Sequence, residues 1–220
     1  MPNPGPISLF LPLIVLLTSL ATLPFTILTL ALQNRLSDLT SWSKIRHAWF
    51  AHFFSWFGPA SKSLFAPSVS PLLSQAKGVI LDIRPGNGIW MHELAGAKSI
   101  TKIYGVEPNT DFHGELKRAA KREGLADVYE PVACGAQDLE ALGVVKGTVD
   151  TVVTVHVMCS VGKQAEEIAS VLHSLLKPGG QWLVYEHVAS PKMPAKLFQG
   201  MLNEHIPSPL HVKICLDLCA

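Results

Sequence analysis

Hydrophobic and polar positions divide the chain into stretches of different period. From Ile7 to Leu32 almost every residue is apolar (ISLFLPLIVLLTSLATLPFTILTLAL), and no charged side chain occurs before Arg35. With a rise of about 1.5 Å per residue, a helix of this length crosses a hydrocarbon core of about 30 Å. Between Trp42 and Phe57 the residues Trp42, Ile45, Trp49, Phe53 and Trp56 recur at three- and four-residue steps, predicting a helix with one aromatic face. Gly58 to Pro71, rich in Pro and Ser, predicts a linker.

Beyond Pro71 short apolar runs alternate with amphipathic ones. Gly78–Ile83, Ile103–Val106, Val128–Ala133, Val149–Met158 and Gln181–His187 predict five strands, several rich in β-branched residues. Ile89–Leu94, Asp111–Glu123 and Lys163–Leu176 predict helices, the last stopped by Lys177-Pro178-Gly179-Gly180. This alternation predicts an α/β domain with a parallel sheet. The expected organisation is an anchor over residues 1–34, an aromatic helix and linker over 35–71, the α/β domain over 72–190 and a divergent tail over 191–220.

Composition narrows the partners. The chain has 220 residues and a formal charge of +1, with basic and acidic residues interspersed. No basic stripe is available to neutralise phosphates, so no nucleic-acid partner is expected. No obligate protein partner is evident either. Cys134, Cys159, Cys215 and Cys219 form no CxxC pair and no histidines cluster near them, so no metal site is predicted. Cysteines without a disulfide framework suit a reducing compartment.

The N-terminal run lacks the basic start and small-x-small cleavage site of a signal peptide, which favours a retained anchor in contact with membrane lipids. Arg35, Lys44 and Arg46 follow it, so the positive-inside tendency puts the remaining chain in the cytosol. Pro12 and Pro24 leave two forms open, a straight span and a bent monotopic hairpin. The aromatic helix likewise has two readings, as an interfacial element in the headgroup zone or as a core helix packed on the catalytic domain.

Candidate chemistry sits where the first two strands end. Asp82 leads into the turn Arg84-Pro85-Gly86-Asn87-Gly88, and a glycine-rich turn between strand and helix lets a ligand approach the backbone. Glu107, 25 residues after Asp82, ends the second strand, where a carboxylate can accept from both ribose hydroxyls of an adenosine. Nicotinamide-dependent dehydrogenases use a similar turn. Their third glycine would fall at Met91, however, where a large side chain opposes close helix–strand packing.

The segments DIRPGNG, YGVEPN, VDTVVTVHVMCSV and LLKPGGQWLVYEHV together resemble class I, S-adenosylmethionine-dependent methyltransferases. The hydrophobic N-terminus, the Met-Cys-Ser segment and the Glu-His-Val ending narrow the resemblance to the membrane-anchored methyltransferase-like 7 group, including its fungal relatives. The resemblance runs from about Lys77 to Ala189. It implies a Rossmann-like fold and S-adenosyl-L-methionine as cofactor, with Asp82, Arg84, Pro85, Gly86, Asn87 and Gly88 at its methionine part. It further implies Glu107 at the ribose, Ala136 and Gln137 at the adenine, and His156 and Met158 along the methyl-transfer cleft. Animal members resemble thiol methyltransferases, which implies a small lipophilic thiol as acceptor and a membrane of the endoplasmic reticulum or lipid droplet.

His156 and His187 are the candidate proton acceptors, each with a structural role as the alternative. A thiol with a pKa near about 8.5 needs little help to ionise, so no strong base is obligatory. Glu186 is expected to orient His187 or to cap a neighbouring loop.

Two departures from the family pattern stand out. Arg84 replaces the first glycine of the turn, either crowding the methionine carboxylate or pairing with it. Family members also continue through another helix and two strands, whereas 33 residues follow His187, with Val212–Leu218 as at best one strand. The expectation is therefore a sheet lacking its last two strands. Beside the enzyme, a non-catalytic relative and a membrane-bound nicotinamide-dependent dehydrogenase remain as alternatives.

Overall fold

The computed structural model describes residues 7–141 and 143–186, and the apolar run at its start forms one helix, α1 (Ile7–Leu32). Neither Pro12 nor Pro24 ends it. The hydroxyls of Thr18, Thr22, Thr26 and Thr29 return to carbonyls three or four residues earlier, so these polar atoms are satisfied inside the helix. Its segment Leu13–Leu32 has a mean hydropathy of 2.2 and is long and apolar enough to cross a membrane.

The chain reverses through residues 33–41, where Asp38 accepts from Arg35 at 2.8 Å and Lys44 at 2.7 Å. Helix α2 (Trp42–Leu73) then begins, and its first half folds back on α1. Trp49 donates to the Ser19 carbonyl at 2.8 Å and the Thr22 hydroxyl at 3.1 Å, and His52 lies 3.1 Å from the Thr26 hydroxyl. The hairpin thus arises at residues 33–41 and not at the prolines.

Two expectations are corrected here. The predicted aromatic stripe is split, because Phe53 is buried and Trp49 bonds to α1 while Trp42 and Trp56 stay exposed. The predicted linker, Gly58 to Pro71, is helical and belongs to α2. Three prolines suggested a break there, yet each removes only one donor and the helix runs on through them. The chain divides into two compact units, Met1–Ser61 and Lys62–Ala220, and the division falls inside α2.

The second unit is built on five parallel strands in the order β3-β2-β1-β4-β5. They are β1 (Gly78–Ile83), β2 (Ile100–Val106), β3 (Tyr129–Val132), β4 (Val149–Val155) and β5 (Leu176–Tyr185). Helices α3 (Met91–Ala95), α4 (His113–Arg122), α5 (Met158–Val161) and α6 (Ala165–Leu175) lie between them. Strand alternation sends Leu81 and Ile83 into a core with Val106, Val152, Ile168 and Leu172, while Asp82 points to the opposite face.

Boundaries differ from the sequence reading for local reasons. The fourth strand stops at Val155 because His156 takes the left-handed conformation, φ +56°, and Met158 opens α5. The Lys-Pro-Gly-Gly segment is the irregular start of β5, where the register passes from Val149↔Leu176 to Thr151↔Gln181 with Gly179 at φ +77°. The expected strand over Val212–Leu218 and the question of missing strands fall on residues outside those described.

At the N-terminal ends of β1 and β4, Asp150 accepts from the Val79 amide at 2.8 Å and pairs with Lys177. It fills the space over Gly78, where a methyl group would overlap its carboxylate. Asp150→Ala leaves that amide without its acceptor and is expected to lower stability by about 1–3 kcal/mol. Chemical denaturation of the parent and variant checks this.

Candidate functional site

The C-terminal ends of the strands converge on one edge of the second unit. Backbone pairing continues one residue past the strands: Arg84 donates to Val106 at 2.9 Å, Glu107 to Val132 at 2.9 Å and His156 to Tyr185 at 2.8 Å. The turn after β1 carries three left-handed residues at alternate positions, Arg84 (φ +52°), Gly86 (φ +60°) and Gly88 (φ +77°). Gly88 backs onto α4, where a methyl group would come within 3.1 Å of Ala119 and 3.3 Å of Leu116. Arg84 is exposed and reaches the Ser160 hydroxyl at 3.5 Å. Its side chain therefore leaves the turn and spans to α5.

Glu107 stitches this turn to β2. One carboxylate oxygen accepts from the Gly86 amide at 3.2 Å, the other from the Asn109 amide at 2.8 Å. Its own carbonyl lies 2.8 Å from His113 Nε2. Burial raises its pKa, an effect opposed by the Asn109 and Gly86 amides and by the charges of Arg84 and His113. The carboxylate is engaged, but each oxygen keeps a second acceptor direction.

Asp82 is buried at 8% exposure, and its carboxyl is raised to about 7, first by burial and then by the charge of Glu107. In the opposite sense acts Tyr129, whose hydroxyl is buried beside Asp82 without a hydrogen bond of regular geometry. The phenol crosses Gly105, the partner of Asp82 on β2, where a methyl group would overlap it. In the turn, Asn87 Oδ1 is likewise buried without a hydrogen bond, and Pro85 is half-buried beside it in sequence.

On the β4–β5 side the His156 ring stands edge-on to Phe65 with centroids 4.6 Å apart and lies 5.3 Å from Tyr185. Glu186 accepts from the Val157 and Met158 amides at 2.9 and 3.1 Å, so it caps the loop after β4. Burial raises its carboxyl to about 7 against those two amides. The Met158 side chain packs into the core cluster with Val106 and Ala136. Ala136 is buried, while Gln137 is exposed and bonded to Asp138 at 3.1 Å. The Asp138 carboxylate also accepts from the Gly135 amide at 3.3 Å. His187 lies outside the described residues.

Some contributors were not legible beforehand. Lys62 of α2 donates to the Ile89 carbonyl and to Glu93, both at 2.8 Å, and sits over the Trp90 ring. Lys62 and Phe65 fell in the segment read as a linker. Tyr129 fell in an ordinary strand, and its only sequence signal was Gly105, a side-chain-free position in the neighbouring strand.

Residues 80–180 match the family model described as a methyltransferase domain. Just under half of the chain thus matches a methyltransferase domain. The chain is 25% identical over 191 residues to the human thiol S-methyltransferase TMT1B, covering 83% of this chain and 72% of the human protein. The rat protein of the same name is 24% identical over 213 residues, covering 91% of this chain and 82% of its own length. In fold it is similar to a candidate S-adenosyl-L-methionine-dependent methyltransferase from Methanococcus maripaludis, with a TM-score of 0.51, 15% identity and coverage of 70% and 71%. The nicotinamide-dependent dehydrogenase alternative finds no support in these comparisons.

A carboxyl raised from 3.8 to about 7 binds its proton more tightly in the folded chain than in the unfolded one. Folding stability is therefore lost as pH rises between these values, and the loss is complete above about 7. Removing the charge should recover it. Asp82→Asn is expected to stabilise the free methyltransferase domain at about pH 8, by up to about 4 kcal/mol, and to have little effect near pH 4. Thermal unfolding at the two pH values is the measurement.

Proposed function

We propose that the protein transfers the methyl group of S-adenosyl-L-methionine to a small lipophilic thiol while held at a membrane by α1. The observation that carries the cofactor site is the tie between the Gly86 amide and Glu107, made beside the buried Asp82 at the ends of adjacent strands. The unsatisfied Asn87 Oδ1 and the spare acceptor directions of Glu107 suit a ligand rich in ammonium and hydroxyl donors. Asp82 and the Arg84–Gly88 turn would hold the methionine part, Glu107 the ribose, and Ala136 with Gln137 the adenine border.

The bound cofactor supplies an electrophilic methyl group on a sulfonium. The protein's part is to align a nucleophile with it and to exclude water. Phe65, His156 and Tyr185 make an aromatic face suited to an apolar acceptor, and the similarity to the thiol S-methyltransferases named TMT1B supports a thiol. His156 is the candidate proton acceptor on this face. A non-catalytic relative is the alternative tied to Arg84 and to the strands expected to be missing; of these, the Arg84 side chain points out of the turn towards Ser160.

Two measurements test the proposal. Calorimetric titration with S-adenosylhomocysteine is expected to show binding, and Glu107→Ala to weaken it by about 1.5–3 kcal/mol, the scale of hydrogen bonds to a charged group. Unchanged binding by the variant would move the cofactor elsewhere. For the anchor, the full chain is expected in the membrane pellet after carbonate extraction, and deletion of residues 1–34 to release much of it. Recovery of the intact chain in the soluble fraction would reject membrane attachment.

A further inference from the structure

Tyr129 has no part in the reading above, yet its placement is specific. It opens β3 opposite Ile103 of β2, and its ring leans forward across the next position on the same face, Gly105. Gly105 pairs with Asp82 in the adjoining strand. A methyl group at 105 would overlap the phenol, so the missing side chain is what lets the hydroxyl of β3 arrive at the carboxylate of β1. Tyr129 is 7% exposed, and its buried oxygen lacks a regular hydrogen bond. A buried hydroxyl in that state is costly and calls for an explanation, which a tyrosine serving only to fill the core would not give.

The surroundings supply one. The groups acting on Asp82 are Glu107 from β2, which opposes its charge, and Tyr129 from β3. Glu107 in turn faces the Gly86 and Asn109 amides, Arg84 and His113. Thus Glu107 has donors of its own, whereas Tyr129 is the donor placed for Asp82.

We propose that Tyr129 is a positioning residue of the cofactor site, whose hydroxyl donates to the Asp82 carboxylate and holds it as an anion aimed at the ammonium of the bound cofactor. The inference rests on the assignment of Asp82 to the methionine end of that site. A phenol in this place stays neutral, because burial and the charges of Asp82 and Glu107 raise its ionisation well above the usual range. It acts as a donor throughout, while Asp82 is the group that changes state near neutrality. Cofactor binding by the carboxylate form then weakens as pH falls through about 7, and loss of the tyrosine hydroxyl moves that fall to higher pH.

The test uses the full chain in detergent, titrated with S-adenosylhomocysteine from about pH 5.5 to about pH 8.5. The parent should bind best at the alkaline end. Tyr129→Phe, which keeps the ring over Gly105, should bind about three- to tenfold more weakly near pH 7 and approach the parent at the alkaline end. The Asp82 carboxyl, followed by carbon NMR in the free protein and assigned with Asp82→Asn, should titrate at higher pH in Tyr129→Phe. An equal loss of affinity at every pH with an unmoved Asp82 titration would show a merely structural role and overturn the inference while leaving the cofactor site in place. Absence of binding by the parent at any pH would overturn the cofactor assignment and this inference with it.

Discussion

Two carboxylates buried at the ends of adjacent strands set the terms for the rest of the second unit. Asp82 and Glu107 repel each other where water is scarce, and the charge of Glu107 is held by donors of its own. For Glu107 those donors are backbone amides, which obliges the turn after β1 to bring the Gly86 N–H inward and the chain after β2 to curl until Asn109 does the same. The left-handed residues of the turn follow from this demand. A flatter path would turn the Gly86 amide away and leave the carboxylate only the Asn109 amide to offset the repulsion.

The other half of the edge is organised by the same means with the roles exchanged. Glu186, at the end of β5, captures the amides of Val157 and Met158, and the preceding His156 is driven into a left-handed conformation that turns its ring to Phe65 and Tyr185. Arg84 joins the halves through Ser160. A side chain at a left-handed position of the turn is thereby accommodated outside it, at the expense of backbone strain in a non-glycine residue.

Much of this was legible in the sequence where a periodic pattern or a local motif carried it. The five strands and their parallel arrangement could be read because short apolar runs encode them within a few residues, and the glycine-rich turn marked the candidate site at the ends of the first two. The linker reading of Gly58–Pro71 failed because proline counts as a breaker in a local rule, whereas the helix holds Lys62 and Phe65 against the turn at residues 89–93 and against His156. Tyr129 escaped notice because its role depends on register between three strands, and register is a property of the assembled sheet. The roles at the β4 end were half legible. Glu186 was expected to cap or to orient, and only the folded chain brings its carboxylate to two particular amides.

The interlock of Tyr129 with Gly105 also constrains how such a sheet can drift over generations. A side chain gained at position 105 has no room while the phenol lies across it, and a smaller residue at 129 opens a gap beneath the carboxylate of Asp82. Neither step is neutral alone, so the two positions are expected to change as a pair. Among relatives, a bulky residue in the 105 position should travel with a small one at 129, and descendants would then have to find another donor for the strand-one carboxylate from a different part of the fold.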